Sequence, residues 1–309
     1  MKNKRIAVVM GGPSTEREVS LNTGQAVLSA LLAKGYDAVG IDLIPAQFVD
    51  QLKAARVDIV FNAMHGRFGE DGALQGTLDL LGIPYTGSGV LASAIAMDKT
   101  ISKRLFLSAG IPTPQALCFE KNREITTLTA EIRREFSLPV VVKAASQGSS
   151  IGVFIVMEDA QLEEAVREAF RFSDRIVVEE FIKGKELTVA VINGDDTEAL
   201  PVIEIVPHSG RYDYRSKYTK GCTEYIVPAP LTSELTAKVQ QIALTAATLL
   251  GCRGVSRVDM MMDDSGNAFV LEVNTIPGMT ATSLVPKAAA AAGLDFPELC
   301  ERLLLMAAV

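Results

Sequence analysis

The groups best suited to chemistry stand close together near the end of the chain, where Arg257, Asp259, Glu272 and Asn274 flank the turn-forming residues Asp264-Ser-Gly-Asn267. The apolar residues on either side of that turn read as a hairpin. With Asp263 opposite Ala268, Asp259 falls opposite Glu272 and Arg257 opposite Asn274. The two-residue period then puts all four on one face and Val258, Met260, Leu271 and Val273 on the other. Two carboxylates directly across a strand pair repel unless a cation lies between them, and hard oxygen ligands of this kind suit Mg2+ bound to nucleotide phosphates. The plainer alternative is a solvated pair of carboxylates with Arg257 as their salt-bridge partner.

Other segments offer complementary groups. Ser146-Gln-Gly-Ser-Ser-Ile151, closed by Gly152, joins two apolar runs, so its backbone N–H groups can line a phosphate as a flap. It is not a Walker A loop, because no Gly-Lys-Ser or Gly-Lys-Thr ends it and a strand follows. Lys143 ends an apolar strand at the edge of this flap, and Lys99 follows Asp98 at the start of a helix, where the dipole mildly opposes a cation unless a phosphate lies nearby. The stretch Val177 to Glu186 connects two strands and can offer backbone groups, an aromatic edge and a carboxylate to a nucleoside. After Asn274 the chain runs through Thr275-Ile-Pro-Gly278 to Ser283, which is expected to cap an alanine-rich helix whose free N–H groups suit a carboxylate.

Positioning these groups takes several elements. Ile6–Met10 and Asp37–Leu43 read as strands around a helix that includes Leu21 to Leu32, with Ser20 as its candidate N-cap and a further strand at Val57–Met64. This opening is a βαβ unit of parallel α/β type. His65-Gly-Arg-Phe-Gly-Glu-Asp-Gly72 leads into a helix over Ala73–Leu81, and Asp98 is the expected cap of a helix closed by Gly110. Then come a helical stretch Thr126–Phe136 and strands at Leu138–Lys143 and Gly152–Met157, an order that suits a small α+β domain. Strands at Leu187–Ile192, Ala199–Ile205, Val255–Met262 and Ala268–Val273 follow, with helices at Glu234–Leu250 and Ser283–Ala292. At 309 residues the chain has room for three packed units, divided near residues 90 and 180.

Composition narrows the classes. The 48% hydrophobic and 22% charged residues are those of an ordinary globular protein, and the net charge of -7 argues against a nucleic-acid surface. The apolar run at Ile6–Met10 is too short for a signal sequence or a membrane span. Cys118, Cys222, Cys252 and Cys300 are scattered, which suggests neither a disulfide framework nor a zinc site and fits a reducing cytoplasm.

Taken together, Gly11-Gly-Pro-Ser-Thr-Glu-Arg-Glu-Val-Ser20, the His65–Gly72 loop and Glu272-Val-Asn-Thr-Ile-Pro-Gly-Met279 resemble the D-alanine:D-alanine ligase family. Similar segments recur at Tyr85–Gly89, Met97–Lys99, Gly148–Gly152 and Tyr212–Tyr218, so the likeness spans nearly the whole chain. It implies an ATP-grasp fold, α/β and α+β, preceded by a Rossmann-like N-terminal domain: 1–90 as that domain, 91–180 as the small subdomain with the flap, and 181–309 as the C-terminal domain with the metal and substrate site. It also implies a chemistry in which ATP phosphorylates one D-alanine and the amine of a second attacks the acyl phosphate, making a peptidoglycan precursor.

Carried over by matching motif, Lys99, Lys143, Ser146, Ser150 and Ile151 would hold phosphates, and Glu179, Phe181 and Glu186 the adenosine. Asp259, Glu272 and Asn274 would hold Mg2+, two ions with Mn2+ able to stand in. Glu16 would anchor the first ammonium, Arg257 and the Gly278 N–H the developing oxyanion, and Ser283 and Leu284 the second carboxylate. His65 would orient substrate or relay a proton. Residues 206–221 would be a lid, with Lys217 near phosphate and Tyr218 in a network with Glu16 and Ser149. One departure is Ala144, where many members have proline, which predicts a less rigid flap. The resemblance further implies a homodimer without membrane or nucleic-acid partners. Three rivals remain: a D-alanine:D-lactate ligase, a non-catalytic nucleotide sensor, and a Rossmann dehydrogenase suggested by Asp42 but opposed by the lack of GxGxxG after the first strand.

Overall fold

The computed structural model describes residues 1–208, 216, 219 and 221–307. Lys217 and Tyr218 lie outside the described residues, as do 209–215 and 220 of the expected lid. The chain opens with β1 (Arg5–Met10), α1 (Arg17–Ala33), β2 (Asp37–Asp42), α2 (Phe48–Ala55), β3 (Ile59–Asn62) and α3 (Ala73–Leu81). Its strands form a parallel sheet in the order β2-β1-β3. Because β1 is central and covered on both faces, its sequence is an unbroken apolar run rather than an alternation.

Ser20 is not the N-cap of α1. The helix starts four residues earlier in register, with Glu16 at the cap position. Ser20 is buried within it, and its hydroxyl accepts from the Gly11 N–H and donates to the Ala63 carbonyl, both at 2.8 Å. The hydroxyl thus ties the glycine loop to β3 instead of capping a helix. Gly11 (φ 75°) lies so close to Asp42 that a Cβ there would meet Oδ1 at 2.2 Å. Asp42 accepts from the Gly12 N–H and from the Arg17 guanidinium, so the acid that a dinucleotide-binding reading would place on a ribose holds its own loop.

Two helices lead out of this unit, α4 (Val90–Met97) and α5 (Lys99–Ser108). Asp98 caps α5 as expected, accepting from the N–H groups of Thr100 and Ile101. Next come β4 (Ala116–Glu120), α6 (Ile125–Glu135), β5 (Val140–Ala144), β6 (Val153–Val156), α7 (Leu162–Ala169) and β7 (Arg175–Glu180). These strands form an antiparallel sheet in the order β4-β7-β5-β6. Helices α6 and α7 cover one face of it through Leu128, Ile132, Leu162 and Val166.

The remaining elements are β8 (Gly184–Asn193), β9 (Glu198–Ala199), β10 (Ile203–Pro207), β11 (Thr223–Ile226), α8 (Ser233–Leu249), β12 (Gly254–Asp263), β13 (Ala268–Asn274), α9 (Leu284–Ala291) and α10 (Phe296–Leu305). The sheet runs β11-β10-β8-β12-β13 with β9 on β8. One face carries α8 over Leu187, Val258 and Met260. On another side Ile192 and Ile203 join Val285, Leu299 and Leu303 of α9 and α10 and Leu31 of α1 in a core shared with the N-terminal sheet.

The β12–β13 register differs from the count at the turn. Met262, not Asp263, faces Ala268, while Asp259 still faces Glu272 and Arg257 faces Asn274. A β-bulge absorbs the difference: Val270 pairs with Met260, leaving Leu271 as the extra residue. Leu271 is therefore not on the core face with Val258, Met260 and Val273, but lines the cleft beside Glu272.

Candidate active site

Two cavities meet at Glu272. The larger, about 300 Å³, is lined by Glu16, His65, Glu70, Ser149, Arg257 and Ser283 among others. The second, about 170 Å³, lies between the two antiparallel sheets against Lys99, Lys143, Glu179, Phe181, Glu186 and Asp259. Glu272 lines both.

At the junction each carboxylate has a cation. Arg257 holds Asp259 bidentately at 2.8 and 2.7 Å, and Asp259 also accepts from the Thr188 hydroxyl at 2.6 Å and the Asn274 amide at 3.0 Å. Lys99 sits 2.9 Å from Glu272 and donates to the Gln147 carbonyl at 2.8 Å, so it ties the flap to the hairpin. Burial opposes the Lys99 charge, but Glu272 and the more distant Glu179 and Glu70 outweigh it and hold the ammonium above the ordinary lysine value. The arrangement gives the helix-start lysine an anionic partner whether or not a phosphate is present.

Glu16 is enclosed by the flap. The Ser149 hydroxyl donates to its carboxylate. A Cβ at Gly148 would meet Glu16 Oε2 at 2.7 Å and one at Gly66 would meet it at 2.9 Å, so both loops close on it only as glycines. Ser149 (φ 51°) and Ser150 (φ 60°) are consecutive left-handed residues, a conformation costing about 1–2 kcal/mol each outside glycine. Of the expected flap residues, Ser150 lines the second cavity together with Gln147. Ser146 and Ile151 are not brought to its wall, and the Ile151 N–H is used on the Gly148 carbonyl at 3.0 Å.

His65 and Glu70 form the floor. The Thr23 hydroxyl accepts from the Met279 N–H at 3.4 Å and lies 2.9 Å from His65 Nε2. The other ring contact is to the Ile276 backbone, and burial drives the pKa down to about 4. A neutral imidazole with contacts to Thr23 and to the Ile276 backbone stands in the cavity wall. Glu70, which the sequence reading passed over inside its own glycine-rich loop, accepts from the Gly66 N–H at 2.6 Å. Burial and the neighbouring Glu16 carboxylate push its pKa up to about 8, so at neutral pH it is a carboxylic acid.

Ser283 stands at the N-cap position of α9 but does not cap it. Its hydroxyl accepts from the Thr280 N–H at 3.1 Å and lies 2.8 Å from Thr280 Oγ1, because the preceding turn offers a nearer donor. The start of α9, Ser283 and Leu284, opens on the larger cavity beside Gly278.

Comparison with known proteins bears on what this geometry serves. The family described as D-ala D-ala ligase C-terminus matches residues 105–305, and that described as D-ala D-ala ligase N-terminus matches 44–88. The chain is 47% identical over 307 residues to the D-alanine--D-alanine ligase of Pelotomaculum thermopropionicum, covering 98% of this chain and 96% of that one. It is 48% identical to that of Moorella thermoacetica, covering 98% and 99%. The chain belongs to the D-alanine--D-alanine ligase family. Among solved structures it resembles the Bacillus anthracis D-alanine--D-alanine ligase complexed with ATP, with a TM-score of 0.85 at 36% identity over 98% of this chain and 97% of that one. It also resembles the D-Ala:D-Ser ligase of Enterococcus faecalis, with a TM-score of 0.84 at 33% identity over 98% and 99%. The parallel first sheet followed by two antiparallel ATP-grasp sheets is thus the fold of this family.

In this member of the ligase family the second cavity has a charged wall that sequence reasoning only half found. Lys143 meets Glu179 Oε2 at 2.6 Å, and Lys103, buried behind them, meets Glu179 Oε1 at 3.2 Å. Burial opposes ionisation of Glu179, yet Lys143 and Lys103 outweigh it and keep its pKa below the ordinary value. The signal for Lys103 was its i, i+4 spacing from Lys99 on α5, which puts both on one helix face. Thr188 could have been found by pairing β8 with β12, where it faces Asp259.

Proposed function

We propose that this protein joins two D-alanines to D-alanyl-D-alanine at the expense of ATP, for peptidoglycan precursor synthesis. The observation that carries the reading is the meeting, at the Glu272 carboxylate, of a charged cleft between two antiparallel sheets with a polar cavity. ATP occupies the cleft, with Glu179, Phe181 and Glu186 on the adenosine and Lys99, Lys143 and, in the flap, Ser150 on the phosphates. The donor set at the junction fits Mg2+: Asp259 and Glu272 face each other across one strand pair with Asn274 beside them, all oxygen ligands, and Mg2+ takes one or two carboxylates plus substrate phosphates. Bound there, it would neutralise charge on the transferring phosphoryl group.

The first D-alanine places its ammonium on Glu16 and its carboxylate towards Arg257 and the Gly278 N–H. The γ-phosphoryl group passes to that carboxylate, giving an acyl phosphate. The amine of the second D-alanine attacks, and phosphate leaves from the tetrahedral intermediate, whose oxyanion Arg257 and Gly278 stabilise as donors fixed beforehand. The N-terminus of α9 with Ser283 and Leu284 receives the second carboxylate; N–H groups not capped by a side chain suit that task. Lys217 and Tyr218 belong to the lid in this reading.

The units 1–90, 91–180 and 181–309 are supported by each sheet's strands falling within one range. A homodimer is supported by Leu80 of α3 and Leu91 of α4, 91% and 73% exposed on two helices that pack together. No helix among the described residues is long and apolar enough to cross a membrane, and all four cysteines are free, which supports a cytoplasmic site of action. The test is ADP release with D-alanine, L-alanine and D-lactate offered singly and in pairs, with product identification. D-alanine alone should give dipeptide and ADP. Turnover only when D-lactate is added, or nucleotide binding without turnover, would overturn the assignment.

A further inference from the structure

Arg175, the first residue of β7, carries a guanidinium that the reading above leaves unused. It lines neither of the cavities that meet at Glu272, yet it reaches across to the start of α5. Its Nη2 donates to Asp98 Oδ2 and its Nη1 to Thr100 Oγ1, the latter at 3.1 Å. Capping does not require this pair. Asp98 Oδ1 alone accepts from the N–H groups of Thr100 at 2.9 Å and Ile101 at 3.3 Å, so the cap is complete before Oδ2 is used. The helix dipole, moreover, opposes a second cation at an N-terminus that already carries Lys99.

The backbone shows what the pair closes. The Arg175 carbonyl accepts from the Ala145 N–H at 3.0 Å, and the Ala145 carbonyl accepts from the Lys99 N–H at 3.0 Å. With the Arg175–Asp98 ion pair these bonds make a ring through three segments: the start of α5, the start of β7 and Ala145, the residue immediately before the flap. The Lys99 peptide lies within that ring, and its ammonium extends to Glu272 at 2.9 Å and to the Gln147 carbonyl of the flap at 2.8 Å. A lysine ammonium rides on a flexible four-carbon stem, so its place depends on where its main chain is held.

We propose that Arg175 is a positioning residue: by clamping Asp98 it fixes the start of α5 against the base of the flap, and so delivers the Lys99 ammonium to the phosphates of a bound nucleotide. The proposal rests on the reading of the cleft as the nucleotide site. Without the clamp α5 keeps its cap, but the Lys99 peptide can shift along the start of β7. The ammonium then loses its fixed place between the hairpin and the flap, while the part of the cleft lined by Phe181 and Glu186 is untouched.

Dissociation constants for ATP and for adenosine, measured without D-alanine, test it in Arg175→Met, Arg175→Lys, Asp98→Asn and Lys99→Gln. Asparagine caps a helix about as well as aspartate, so Asp98→Asn removes the ion pair and keeps the cap. The Kd for ATP should rise about five- to tenfold in Arg175→Met and Asp98→Asn, and less in Arg175→Lys, which keeps the charge. The Kd for adenosine, which has no phosphate, should stay near wild type. Adding Arg175→Met to Lys99→Gln should cost little beyond Lys99→Gln alone, because both changes act on one ammonium. Where Arg175→Met does not fold, Asp98→Asn carries the test. Equal weakening of ATP and adenosine, unchanged ATP binding in the Arg175 and Asp98 variants, or additive losses in the double variant overturn the role of Arg175. Unchanged ATP binding in Lys99→Gln overturns instead the placement of the phosphates at Lys99, and the proposal with it.

Discussion

Glu70→Gln should make the protein less sensitive to alkali. In the folded chain the Glu70 carboxyl is held at about 8 by burial and by Glu16, against 4.5 ordinarily. Between those values the native state binds a proton that the unfolded chain has lost, so stability must fall as pH rises. The contribution is fully present below pH 4.5 and is gone once the pH has passed about 8. At about 1.4 kcal/mol per pH unit, the full window corresponds to on the order of 4–5 kcal/mol. Glutamine keeps the acceptor that the Gly66 N–H uses and has no proton to lose. Urea midpoints measured from pH 5 to 9 should therefore decline in wild type and stay much flatter in the variant, with the curves crossing so that Glu70→Gln is the more stable protein at pH 8.5. Parallel curves would refute the reasoning, because they would mean that Glu70 is ionised in the native state throughout.

Three further outcomes follow from the same geometry. His65, held at about 4 against 6.5 ordinarily, contributes stability above pH 6.5 that is lost as the pH falls towards 4, so His65→Asn should remove an acid-limb loss of about 3 kcal/mol from the same denaturation series. Arg257→Ala should lower kcat by about 2.7–4 kcal/mol of transition-state stabilisation, far more than it raises the ATP KM; an unchanged kcat in steady-state assays counts against the oxyanion role. Leu271→Ala removes the half-buried bulge side chain from the cleft and should raise the ATP KM about tenfold while leaving the D-alanine KM alone, since complete burial of a leucine is worth roughly 1.5–3 kcal/mol and a ligand would cover only its remaining exposed part. Equal shifts in both KM values would place Leu271 in the general scaffold.

Much of the scaffold was legible because its signals are local. The unbroken apolar run of β1, the Asp98 cap of α5 and the glycine turns each act within a few residues, and each appears where the sequence puts it. The elements that went unread were α2, α4, β4, α7, β11 and α10. The last of these carried a readable signal, the capping box of Asp295 and Glu298 with Pro297 in the first turn. The two expected caps fail for different reasons: Ser20 lies inside α1, which begins at Arg17, and Ser283 stands at the cap position but its hydroxyl is engaged by Thr280. Helix periodicity says where a cap should be, but not which backbone group offers the nearer bond.

The site was legible where it depended on register and obscure where it depended on burial. Counting from the turn gave the pairing of Asp259 with Glu272 even though the count started one residue off, because the bulge at Leu271 supplied the missing residue. The same compensation hid a cleft-facing side chain: with Val270 and Val273 both on the core face, Leu271 and Glu272 must both face the cleft, which strict alternation forbids. Glu70 and Lys103 were obscure for a different reason. Each is an ordinary charged residue in sequence, and it becomes informative only once the fold has removed it from water and set it beside another charge: Glu16 for the first, Glu179 for the second. The bulge gives the hairpin two neighbouring cleft-facing side chains, one apolar and one a carboxylate that also lines the larger cavity. A single irregular residue therefore lets one strand serve both cavities that meet at Glu272.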